Sequence, residues 1–200
     1  MEQGSYYASV AGFVLVIALW FVFAGVFLLR KKSEATTDST KAPRSWAGLA
    51  LQGVGFGAVW AMRRTPVFSP YIDGQYVLNL IFQIFAILLA AWSVWLAMSA
   101  IRELGKQWSL GARLVEGHKL ITSGVYQIVR HPIYTAMLGM LVATGIVYSH
   151  WLATLIGIAI FVVGTKIRTM SEEKLLGDAF GAEFTDWKAK VPGLIPFVTI

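Results

Sequence analysis

The sequence has no cysteine among its 200 residues. That absence excludes disulfides, thiol nucleophiles and thiolate metal sites, and leaves the compartment open. Charge is also scarce: 14% of residues are charged against 56% hydrophobic. The mean hydropathy of +0.63 falls outside the range of a soluble globular domain. Histidine is thin as well. His118, His131 and His150 are scattered without ligand spacing, so no metal site is expected.

What the chain does have is long uncharged runs. Gln3 to Leu29, Ser45 to Met62, Gly74 to Ile101 and Ile133 to Thr165 contain no Asp, Glu, Lys or Arg. A helical span needs roughly 20 apolar residues to cross about 30 Å of hydrocarbon. The first three runs each fit one helix. The fourth is too long for one, and Tyr148-Ser149-His150-Trp151 near its middle is suited to a tight hairpin. The expectation is an all-α integral membrane protein with about five transmembrane helices, spans 4 and 5 forming a short helical hairpin. The N-terminus lacks a basic n-region and its apolar stretch leads into Arg30-Lys31-Lys32, so it is read as a retained first span rather than a cleaved signal peptide.

The net charge of +6 follows the spans. Fifteen of the 17 Lys and Arg fall in Arg30–Arg44, Arg102–Arg130 and Lys166–Lys190, which five spans place on one side of the membrane. Arg63 and Arg64 are the exceptions. The positive-inside rule makes the basic side cytoplasmic. Topology and attraction to anionic lipid headgroups account for the charge, so no nucleic-acid partner is expected.

Two regions differ in character. Residues 1–100 read as an N-terminal membrane region of three spans with a polar linker at 31–45. Gly53-Val54-Gly55-Phe56-Gly57 lies inside an apolar run and lacks the Gly-Lys-Ser/Thr of a phosphate loop; close helix packing is the expected role. Trp92 and Trp95 read as packing or interface residues. Residues 101–200 read as the catalytic region. Asp, Glu, Lys, Arg and His are costly at membrane depth, so a cluster flanking a hairpin either stays in the interface or serves a site.

Gly117 to Tyr134, GHKLITSGVYQIVRHPIY, sits at such a boundary. Gly124 is a candidate turn, and Pro132 is placed to open the fourth span. Arg130, His131 and Tyr134 lie at its mouth. A second group, Lys166 to Glu173, marks the exit of the fifth span. Arg168 and Glu172, four apart, share a helix face. An exposed pair of this kind contributes well under about 1 kcal/mol, and an Arg at a span end is also a common snorkelling anchor, so anchoring and function both stand as readings. Downstream, Leu175, Leu176, Ala179, Phe180, Phe184 and Trp187 form an apolar stripe, predicting a C-terminal amphipathic helix on the membrane or against the hairpin. Val191-Pro192-Gly193-Leu194-Ile195-Pro196-Phe197 then breaks it.

This ordered set, GHKLITSGVYQIVRHPIY, a hairpin of short spans, Arg168, Glu172-Glu173, Phe180-Gly181, Glu183-Phe184 and Val191-Pro192 with Ile195-Pro196, resembles the isoprenylcysteine carboxyl methyltransferase family over about residues 100–197. The resemblance implies an S-adenosylmethionine-dependent membrane methyltransferase acting on the carboxylate of an isoprenylated cysteine or a similar lipid-linked acid. By position it implies cofactor contacts at His118, Lys119, Leu120, Ile121, Tyr126, His131, Pro132, Ile133, Tyr134 and Glu172. Arg168 falls at the family's substrate-contacting arginine and is the expected catalytic residue. The N-terminal half is shorter by several spans than in the eukaryotic enzymes, and Lys119 stands where a neutral residue is often found. The shortness predicts a prokaryotic cytoplasmic membrane, with the site facing the cytoplasm; prenylated C-terminal cysteines are generally absent there, which leaves the natural acceptor open.

The residue types suit such chemistry. Displacement at a sulfonium methyl needs donor and acceptor held at near-attack distance in a dry pocket. A carboxylate is ionised at pH 7 and needs no base; a guanidinium can orient it through a fixed fork of donors. The rings of Tyr126 and Tyr134 are candidate walls for the adenine or the sulfonium. The alternative is a phospholipid N-methyltransferase with the same cofactor site, for which His131 is the candidate base. A sterol-type reductase using a nicotinamide cofactor and a non-catalytic membrane scaffold are the remaining readings.

Overall fold

The computed structural model describes residues 2–29, 40–41, 45–65, 68, 75–108, 113–114 and 119–196. Five helices carry the fold: α1 (Glu2–Leu28), α2 (Ser45–Ala61), α3 (Tyr76–Leu104), α4 (Pro132–Val147) and α5 (Trp151–Lys190). Three of them, α1, α3 and α5, are long and apolar enough to cross a membrane. The other two, of 17 and 16 residues, rise only about 25 Å at 1.5 Å per residue, at the short limit of a span. The chain is an all-α integral membrane protein; among the described residues, its extended pairing is limited to a two-residue antiparallel ladder of Thr40–Lys41 with Arg113–Leu114 and one isolated bridge.

Helix ends fall where the local chemistry requires them. Gly105 stops α3 at φ 54°, a left-handed backbone conformation that glycine adopts without steric cost. Pro132 occupies the first turn of α4, where its missing N–H breaks no helical bond. The hairpin turns at Tyr148 to His150, as the sequence predicts, and His150 caps α5 by accepting a hydrogen bond from the Leu152 N–H at 3.3 Å.

Successive helices run antiparallel. At one end the start of α1 meets the start of α3: Asn79 Nδ2 donates to Ser5 Oγ at 3.0 Å and Ser9 Oγ at 3.2 Å. At the same end Arg63 pairs with Ser149 across an isolated bridge. Arg64 lies buried there and donates to the backbone carbonyls of Ile146 and Val147. These are among the last carbonyls of α4, where a cation also complements the helix dipole. The two arginines outside the basic pattern thus serve the hairpin apex.

The most extensive helix contact joins α2 to α5. Ser45, Gly48, Gln52, Gly55 and Val59 form the buried seam of α2, and small residues let the backbones approach closely. A Cβ at Gly55 would lie 2.7 Å from the Gly157 carbonyl oxygen, and one at Gly48 would lie 2.5 Å from that of Gly164. Gln52 Nε2 donates to Thr165 Oγ1 at 2.9 Å across the seam. Of the glycine-rich stretch expected to pack, Gly55 does so, whereas Gly53 and Gly57 face open space. Spacing of two residues turns neighbours to different helix faces, so the run could not pack as a unit. Trp92 and Trp95 are exposed on the outer surface of α3.

The predicted C-terminal amphipathic helix is the continuation of α5. Its backbone bends at Gly181 (φ 51°); beyond it Phe184 is buried and Trp187 packs against the main core. The segment docks against the hairpin side of the molecule: the Arg130 and His131 N–H groups donate to the carbonyls of Pro192 and Gly193 at 2.8 and 3.0 Å.

Candidate functional site

The middle of α5, where its apolar stretch ends, brings two acidic residues to the start of α4. Neighbours on a helix point about 100° apart, so Glu172 and Glu173 face different partners. Glu172 accepts a hydrogen bond from the Tyr134 hydroxyl. That same hydroxyl oxygen accepts one from Arg168 Nε at 2.8 Å. Arg168 Nη2 stands 3.9 Å from Glu172, and its guanidinium lies 5.3 Å from the Tyr134 ring centroid. Tyr134 therefore couples arginine to carboxylate more directly than the helical pair does. Arg168 is only 4% exposed, which removes it from the class of snorkelling anchors, whose heads stay in water.

Glu173 is the centre of the second group. Its Oε1 accepts from Arg130 Nε at 3.0 Å and lies 3.0 Å from His131 Nε2, while Oε2 pairs with Lys188 at 2.7 Å. Arg130 also donates to the carbonyls of Lys188 and Val191, and Thr135 donates to that of Leu194. These bonds tie the C-terminal turn to the mouth of α4. His131 bridges the groups: its Nδ1 is 3.6 Å from Glu172, and its ring stacks on Tyr134 with centroids 5.9 Å apart. Burial lowers the pKa of His131, but hydrogen bonds and charges from Glu172 and Glu173 outweigh it and raise the value above that of ordinary imidazole.

The loop before α4 is held from α3. The Lys119 N–H donates to Gln107 Oε1, and Ser123 Oγ donates to Glu103 at 3.0 Å. Gly124 makes the expected turn at φ 58°, a backbone conformation that calls for glycine. Tyr126 follows in a short 3-10 turn, Gly124–Gln127, and is buried in the main core.

The structure thus gathers His131, Tyr134, Arg168 and Glu172 into one cluster, with Pro132 opening α4 beside it. Ile133 and Ile121 pack against the core; Leu120 is half-buried and Lys119 exposed. His118 lies outside the described residues, as does most of the 31–45 linker. Sequence reasoning overlooked Glu173 as the hub, although its signal was present: an acid beside Glu172, facing the Arg130-His131 pair. It also overlooked Trp187, whose Nε1 is buried with no hydrogen-bond partner among the described residues.

Comparison with known proteins follows the same segment. The sequence model of the phospholipid methyltransferase family matches residues 81–183, from within α3 to beyond the bend of α5. Protein-S-isoprenylcysteine O-methyltransferase B of Arabidopsis thaliana is 34% identical over 108 residues, 52% of this chain and 53% of that protein. The protein-S-isoprenylcysteine O-methyltransferase of Schizosaccharomyces pombe is 26% identical over 129 residues, 62% and 55% of the two chains. A probable protein-S-isoprenylcysteine O-methyltransferase of Oryza sativa subsp. indica is 35% identical over 81 residues, 40% and 42%. The chain spans about half the length of the curated relatives it matches.

Proposed function

The chain belongs to the phospholipid methyltransferase family, with isoprenylcysteine methyltransferases among its relatives, and from that membership we propose that it transfers a methyl group from S-adenosylmethionine to the carboxylate of an isoprenylated cysteine or a similar lipid-linked acid. The observation that carries this reading is the buried Arg168, held by Tyr134 where α5 leaves its apolar stretch. A buried guanidinium draws an anionic acceptor out of water and orients it, and the membrane boundary lets a lipid tail stay in hydrocarbon.

The residues present fit the cofactor. S-adenosylmethionine carries an ammonium and ribose hydroxyls that need acceptors, and Glu172 supplies a carboxylate. Its adenine needs flat apolar walls and a donor; Tyr126 is buried and close in sequence to the α4 mouth, and Trp187 Nε1 is a buried donor without an acceptor among the described residues. When bound, the group would supply an electrophilic methyl carbon to the acceptor carboxylate, with its sulfonium sulfur keeping the electron pair of the carbon–sulfur bond. No proton moves in that exchange. The protein's work is therefore positioning and exclusion of water. Arg168 orients the acceptor, Tyr134 fixes Arg168, and Glu173 with Arg130 and Lys188 fastens the C-terminal turn over the mouth.

The partners in this reading are membrane lipid and a prenylated or otherwise lipid-linked substrate. The catalytic region is taken as residues 101–200, resting on the N-terminal membrane region. The concentration of Lys and Arg at the site's end supports a cytoplasm-facing site. Labelled methyl transfer in detergent micelles tests the reaction, with a farnesylated cysteine acid against phosphatidylethanolamine. Label is expected on the acid; label on the amine lipid alone would replace this reading with phospholipid N-methylation.

A further inference from the structure

The seam of α2 ends beside Arg168. A Cβ at Gly48 would lie 2.6 Å from Arg168 Cγ and 3.2 Å from its backbone nitrogen, so Gly48 is the wall against which the arginine stem rests. Ser45 lies one turn nearer the basic end on the same buried face. That step advances about 4.5 Å along the axis, alongside the stretch of the antiparallel α5 that runs from Arg168 towards Glu172. Ser45 is 1% exposed, and its hydroxyl has no hydrogen-bond partner among the described residues. A buried hydroxyl left unpaired costs roughly 1–3 kcal/mol, so a partner supplied by a ligand would recover that loss. Ser45 also opens a 17-residue helix, whose first N–H groups and dipole favour a negative group.

We propose that Ser45 belongs to the acceptor seat, its hydroxyl donating to the carboxylate that Arg168 holds, with the N-terminal turn of α2 facing the same charge. This inference rests on the methyl-transfer reading and deepens it. The guanidinium and the helix N-terminus both disfavour an ammonium, and the Ser45 hydroxyl adds a donor for an acid. The seat thus selects an acid over an amine, and it assigns the N-terminal membrane region a part in substrate choice.

The test is equilibrium binding of tritiated N-acetyl-S-farnesylcysteine and of its methyl ester to the full chain in detergent micelles, without methyl donor. The ester keeps the tail and loses only the charge. Wild type should prefer the acid. Ser45→Ala should weaken acid binding about tenfold and leave the ester unchanged, with a ligand-free melting temperature no lower than that of wild type, and Ser45→Thr should restore the acid. Unchanged acid binding in Ser45→Ala, with the preference lost in Arg168→Lys, would overturn the role of Ser45 and leave the reaction standing. Equal loss of acid and ester would overturn it too, as the mark of a packing role. A wild type without preference for the acid would overturn the seat, while the reaction itself stands or falls on the labelled methyl transfer.

Discussion

A guanidinium that is almost wholly buried at a membrane boundary is costly unless its charge is used, and the residues around Arg168 show how it is held. Tyr134 accepts from it and donates onward to Glu172, so the hydroxyl fixes both arginine and carboxylate. Tyr134→Phe should lower kcat/KM for the acid about tenfold, as expected for a hydrogen bond to a charged group; rates within twofold of wild type would refute that part. His131 sets a pH dependence. It faces Glu172 and Glu173, with Arg130, Lys188, Tyr134 and Arg168 around them. Its folded pKa is raised, so its contribution is complete below the unfolded value of about 6.5 and is lost as pH rises through the folded value. The melting temperature of wild type should therefore fall between about pH 6 and pH 9 by more than that of His131→Asn. Parallel curves would show that the imidazolium does not hold the clasp. At this scale the sequence was partly readable: RHPIY and the Arg168–Glu172 spacing pointed to a cluster. The Tyr134 relay and the hub at Glu173 depend on side chains about 40 residues apart, which no local pattern encodes.

At the scale of elements, α2 is where sequence reading fell short. Its apolar run and length were plain, but a helix that is hydrophobic all round does not declare which face packs. The glycine cluster drew attention to residues 53–57, while the decisive contact is Gly48 against Gly164 and Arg168. The two kinds of glycine separate by substitution. Gly53→Ala, in open space, should be neutral or stabilising by up to about 1 kcal/mol from helix propensity. Gly48→Ala must push α2 off α5 or displace the arginine stem, and should lower both thermal stability and acid turnover. Equal melting temperatures for the two variants would contradict the seam. The hairpin, by contrast, was legible because its breaking residues, Tyr148 to His150, interrupt a run too long for one helix and too short for two with a long loop.

For the whole molecule, antiparallel alternation carries the site, the C-terminal turn and most basic residues to one end, while Arg63, Arg64 and the hairpin apex occupy the other. The chain has no native cysteine, so orientation can be read directly: a cysteine at the exposed Lys174 should react with an impermeant maleimide only from the cytoplasmic side, and one at the exposed Thr65 only from the other. The reverse pattern would invert the site. The central claim is that this end of the molecule holds a carboxylate acceptor through Arg168, and it is tested most directly by steady-state methyl transfer to a farnesylated cysteine acid in Arg168→Ala. The account predicts a loss in kcat/KM for the acid of about 100-fold or more, since truncating one partner of a buried charged pair costs about 2–5 kcal/mol, with binding of S-adenosylmethionine within about threefold of wild type. Turnover that survives the substitution, or a loss confined to cofactor binding, would contradict it.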